Sequence, residues 1–132
     1  MNIENNLGKI KVNNTLFSKI IFDAISNVND ELFLCDQNLK IYSSNNKNKF
    51  NSFSNEIIVH SFDKSIDVTF FTIMAFGYSI NKNSELILSY IIDELKPMFM
   101  DFKITIHMRV IGIKSKEIKK RDLEFVKSYE PK

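Results

Sequence analysis

The residues whose types could do chemistry are few and scattered. Asp63 with Asp67, and Asp93 with Glu94, are acidic pairs close enough in sequence for acid–base work. Ordinary surfaces carry such pairs as well. Cys35 is the chain's one cysteine, which excludes an intrachain disulfide and a cysteine-rich metal site. It has no histidine near it in sequence, and its place in an apolar run predicts a buried, inert thiol. His60 and His107 are isolated, and His107 falls on the polar side of an alternating run, where a hydrogen-bonded or solvent-facing role is expected. Gly8, Gly77 and Gly112 are the only glycines, so no phosphate-cradling loop or dinucleotide fingerprint can be written. No serine sits in a nucleophile elbow. The expectation is a protein without catalytic residues, metal or cofactor.

Composition sets the frame for that expectation. A chain of 132 residues reads as one domain, 1–132, able to bury roughly two thirds of its unfolded surface. Hydrophobic residues at 44% against 26% charged give the balance of an ordinary globular protein, with twelve Phe to supply core volume. A formal charge of +2 is too small to imply nucleic acid. No apolar run approaches the ~20 residues of a membrane span, because Thr, Ser, Asp and Lys interrupt each one. The first residues lack a signal-peptide pattern, so a cytoplasmic location is expected.

The elements that must hold these residues follow from periodicity. Asn13 or Asn14 can cap a helix over 13–28, with Leu16, Phe17, Ile20, Ile21, Ala24 and Val28 on one broad face. Leu32 to Cys35 and Leu39 to Tyr42 are two β-prone runs around Asp36-Gln37-Asn38, a hairpin signal. Residues 45–55 form a polar connection anchored by Phe50 and Phe53. From Ile66 the pattern fits strand or helix, and the density of Val, Thr, Phe and Ile favours strand. Asn81 to Ser84 reads as a turn, and the run from Leu86 to Leu95 suits strand alternation or a helical stripe. Phe102 to Val110 is the clearest pattern: Phe102, Ile104, Ile106, Met108 and Val110 on one side, Lys103, Thr105, His107 and Arg109 on the other. From Ser115, a stripe of Ile118, Phe125 and Tyr129 predicts a basic C-terminal helix over 115–129.

The Asp36, Ile41 and Asn45 spacing resembles the opening hairpin of PAS sensor domains, where a strand ends in Asp, turns, and returns as a strand ending in Asn. Leu39 stands where that family usually carries Gly. The likeness is close over residues 31–45 and loose elsewhere. It implies an α+β single domain: an antiparallel sheet of about five strands, short crossover helices, and a helix at either end. The crossover from Asn45 to Ile66 is short for the family. Either its helices are reduced, or Ile66 to Phe76 is itself a crossover helix and the sheet is one strand short. Haem-binding members take an axial histidine from the region of His60, but no second feature here supports haem. The flavin-binding branch uses a cysteine in a motif that Cys35 does not occupy.

The resemblance implies a sensory or regulatory module without catalysis of its own. Phe33, Cys35, Ile41, Phe70, Ile104 and Ile106 are candidates to line a pocket, packed solid or holding a small apolar ligand. The breadth of the first helix predicts a homodimer or a protein partner, with Phe17, Ile21 and Ile25 as interface candidates. The alternative is a structural adaptor of the longin or roadblock type. The two differ in topology, since PAS sheets place the first two strands beside the last.

Overall fold

A computed structural model describes residues 2–3, 10–11, 14–28, 32–41, 57–75 and 80–131. The elements are strands β1 (Asn2–Ile3) and β2 (Ile10–Lys11), helix α1 (Asn14–Val28), strands β3 (Leu32–Cys35), β4 (Ile58–Phe62) and β5 (Ser65–Ala75), helix α2 (Ile80–Leu95), and strands β6 (Lys103–Lys114) and β7 (Ile118–Tyr129). This is a single α+β arrangement built on one mostly antiparallel five-stranded sheet. β1 and β2 form a separate two-stranded pair.

β5 is the centre. Its length lets two short strands share one edge: β3 pairs with its second half, Leu32 opposite Met74, and β4 with its first, Phe62 opposite Ser65. On the other edge β5 runs parallel to β6, a pairing that requires a crossover, and α2 supplies it. β6 and β7 then form a long antiparallel hairpin. The expected strand over 66–76 is therefore present as β5, while the ambiguous run after Ile80 is helical. Ile87, Leu88, Ile91, Ile92 and Leu95 all face the core, and Leu86 is left outside. The turn expected at Asn81–Ser84 is the opening of α2.

The C-terminal helix expected over 115–129 is corrected to β7. Its supposed stripe is split between the two sides of the sheet. Ile118 packs against Phe71 and Ile73, whereas Phe125 and Tyr129 pack against the helix-covered core. The shift of register between Val110 and Gly112 separates the two stretches. Among the described residues β3 lies beside β5 and β7 pairs with β6 alone, whereas the PAS resemblance implies the first two strands beside the last. The expected short crossover helices and the return strand beyond Ile41 fall outside the described residues.

α1 and α2 pack on each other and on one face of the sheet. Ile66, Val68 and Phe70 of β5 and Ile104, Ile106, Met108 and Val110 of β6 fill that layer. Phe17 of α1 stacks on Phe99, with ring centroids 6.0 Å apart, and Phe99 meets Phe102 edge-on at 5.7 Å. α1 buries Phe17, Ile20, Ile21, Phe22, Ala24 and Ile25, leaving Lys19, Asp23 and Ser26 exposed. Its broad apolar face is thus consumed inside the chain by two neighbours, sheet and helix, where one contact would need a narrower stripe.

Candidate functional site

Of the polar side chains that sequence reading singled out, His60, Asp67 and His107 lie on the sheet face away from the helices. Strand alternation sends them there: β6 turns Ile104, Ile106 and Met108 inward, so Thr105, His107 and Arg109 turn outward. Register then lines up rows across β4, β5, β6 and β7. One row is Ile58, Thr69, His107 and Val126; the next is His60, Asp67, Thr105 and Ser128.

One end of this face is closed. Asp36 ends β3 and its buried carboxylate accepts the backbone N–H groups of Asn38 at 2.8 Å and Lys40 at 2.9 Å. The Asp36 N–H donates to the Lys40 carbonyl at 2.9 Å, and a single bridge pairs Cys35 with Ile41. The turn expected at Gln37 and Asn38 is therefore formed. Leu39 adopts φ 68°, a left-handed conformation that glycine takes without strain. That backbone lays Leu39 and Ile41 over Cys35, Phe71 and Ile73, with Ile58, Ile111 and Ile118 around them.

The other end is a ladder of charges. Arg109 Nη2 donates to Asp122 Oδ1 at 2.7 Å, and its Nε stands 4.0 Å from Glu124 Oε2 without a hydrogen-bond partner among the described residues. His107 Nδ1 lies 3.8 Å from Glu124 Oε1, Lys103 Nζ 3.3 Å from Glu130 Oε1, and the Thr105 and Ser128 hydroxyls are 3.2 Å apart. Asp122, Glu124 and Glu130 on one side thus each meet a basic group of β6. Opposite charges facing across adjacent strands stabilise and specify a pairing. This arrangement fixes β7 on β6. Sequence reading placed Arg109 on the polar side of its strand but missed the acids that meet it, because the strand carrying them was read as a helix.

On the helix side of the hairpin, Lys127 donates to Glu85 of α2, whose carboxylate also accepts from Ser89 at 3.3 Å. The hydrogen bond from Lys127 holds the Glu85 carboxyl below its ordinary pKa, with desolvation opposing it as the next-largest effect and the Lys127 charge and Ser89 adding to the lowering. Lys96 Nζ sits 4.8 Å from the centre of the Tyr129 ring.

The pocket candidates do not form one lining. Phe70, Ile104 and Ile106 are fully buried on the helix-covered face, while Cys35 and Ile41 belong to the apolar cluster outside. Phe33 is also on the outer side, with Lys114 Nζ 5.1 Å from its ring centre. The one-residue parity of β3 decides this: Leu32 and Leu34 are the pair that join Phe70 in the core. The interface candidates Phe17, Ile21 and Ile25 are 1%, 0% and 7% exposed, so they form core and no outer face. His60 and Asp67 are paired in register and both exposed. Asp63 stands in the β4–β5 turn, and Asp93 is paired with Lys96 at 3.3 Å. Among the described residues, no three His, Cys, Asp or Glu side chains are grouped to hold a metal ion.

Compared with known proteins, the chain matches no family model, no curated protein and no solved structure.

Proposed function

We propose that the chain is a non-catalytic protein-interaction module, acting as an adaptor or regulatory domain in an assembly. The observation that carries this reading is its one-sided construction. Helices cover one face of the sheet, the charged groups of β6 and β7 on the other are spent on pairing those strands, and β7 ends the sheet with no described strand beyond it. Arg109, His107, Lys103 and the acids they meet are thus committed to architecture, while a long stretch of backbone is left for recognition. Among the described residues no helix is long and apolar enough to cross a membrane.

Comparing the mass of the purified chain with its sedimentation in gently lysed extract of its own cells tests the reading. A dimeric or larger species in either is expected. A monomer in both, at physiological ionic strength and native abundance, ends it.

A further inference from the structure

Among the described residues β7 has a strand neighbour on one side only, and as an edge it is unevenly defended. An unpaired strand edge is a template for another strand, and proteins guard such edges with cations and bulges. Here the guards crowd into the first half of the strand. Lys119, Lys120 and Arg121 are consecutive, and the register shift opposite Val110–Gly112 falls beside them. From Leu123 to Tyr129 the pairing with β6 is regular, and Lys127, the one cation in that stretch, is held by Glu85. Val126 lies within it and is 47% exposed, while Leu86, next to Glu85 on α2, is 54% exposed. Two of the exposed large apolar side chains thus lie on the two elements that border this edge.

We propose that a second copy of this chain pairs antiparallel with β7 over Leu123–Tyr129, about a two-fold axis at Val126, joining the two sheets into one. The inference rests on the interaction reading above and names its partner. Charge and length together select the register. Residues directly opposite each other in an antiparallel pair share a face, and like charges so placed repel. An axis at Glu124 would set that carboxylate against its own copy, and one at Lys127 would do the same with two ammonium groups. An axis at Phe125 sets Glu124 against Val126 and uses less of the regular stretch. At Val126 the pairs are Leu123 with Tyr129, Glu124 with Ser128, Phe125 with Lys127, and Val126 with itself. No like charges meet within Leu123–Tyr129, and all of the regular stretch is used; just beyond it Asp122 would face Glu130 of the other copy, which confines the pairing to that stretch. The contact is isologous, so it closes as a dimer and does not propagate. The cations at 119–121 remain outside the paired stretch.

The self-facing position makes a stringent test. Purified wild type should sediment as a dimer, and Val126→Lys should sediment as a monomer that still melts cooperatively, at a temperature that no longer depends on protein concentration. Val126→Glu should also be a monomer. An equimolar mixture of the two variants should recover dimer, because only a position opposite itself is rescued by opposite charges. A wild-type dimer that survives Val126→Lys, or variants that do not recover on mixing, overturns the edge assignment while leaving the interaction reading intact. A wild-type monomer at high micromolar concentration overturns it too, and the extract measurement then decides the broader reading separately.

Discussion

Leu39 closes against Gly112. A Cβ built on Gly112 would lie 3.0 Å from Leu39 Cδ2, with Ile118 Cγ2 also at 3.0 Å and Ile73 Cγ1 at 3.2 Å. The turn after β3 and the register shift of β6 therefore form one fitted contact, in which a left-handed leucine covers a strand glycine.

Gly112→Ala should destabilise the protein by ~1–3 kcal/mol, since three side chains around the new methyl must give way together. Asp36→Ala should cost ~2–3 kcal/mol by removing an acceptor of two backbone N–H groups in a buried place. Denaturant titration reads both. No loss in the first would mean that the Leu39 cover is loose.

Ile106→Asp should cost ~4 kcal/mol or more, because Ile106 is fully buried and a carboxylate there has no partner. Thr105→Asp, on the outer side of the same strand, should stay within ~1 kcal/mol of wild type. Equal losses would show that both faces of β6 are sealed.

Phe17→Ala should cost ~3–5 kcal/mol, through loss of its stack on Phe99 and the space left in the core. Phe17→Glu should lose the cooperative melt. A folded Phe17→Glu variant that differs from wild type only in association state would return this residue to an outer surface.

Glu85 provides a pH test. Its carboxyl titrates lower in the folded state than its ordinary 4.5, so the Lys127 contact stabilises the fold above that pH. The contribution fades as pH falls through the lowered folded value. The stability difference between wild type and Glu85→Gln should therefore be flat near neutrality and close below 4.5, with a smaller amplitude in high salt because the pair is exposed. A difference that grows on acidification would refute the assignment.

Which parts of the fold were legible depended on how each element is buried. β6 has one sealed and one wet face, so its alternation stood clear in the sequence. α1 was readable from its apolar face, but its breadth misled about what covers it: α2 and the sheet share the task. β7 was hidden because an edge strand with one half-buried side carries a weak pattern, its guarding cations imitate a solvated helix, and Val126 breaks the alternation with Leu123 and Phe125. α2 was ambiguous because Leu86 and Tyr90, neither of them fully buried, mimic strand alternation with Leu88 and Ile92. The outer ladder could not be read while its second rail was misassigned.

The way β5 is shared has a consequence for the time course of folding. Its pairing with β4 turns through Asp63 and Lys64, both at positive φ, the backbone of a tight hairpin whose ends meet within microseconds. Its pairing with β6 must wait until Ser65 finds Lys103 across the whole of α2, and its pairing with β3 until Leu32 finds Met74. Closing those long loops costs entropy before any contact repays it. The neighbours of β5 are thus expected to arrive at different speeds: the β4 hairpin early, then β3 with its Leu39 cover and the parallel β6 later. Throughout that delay the central strand of the finished sheet is itself an edge.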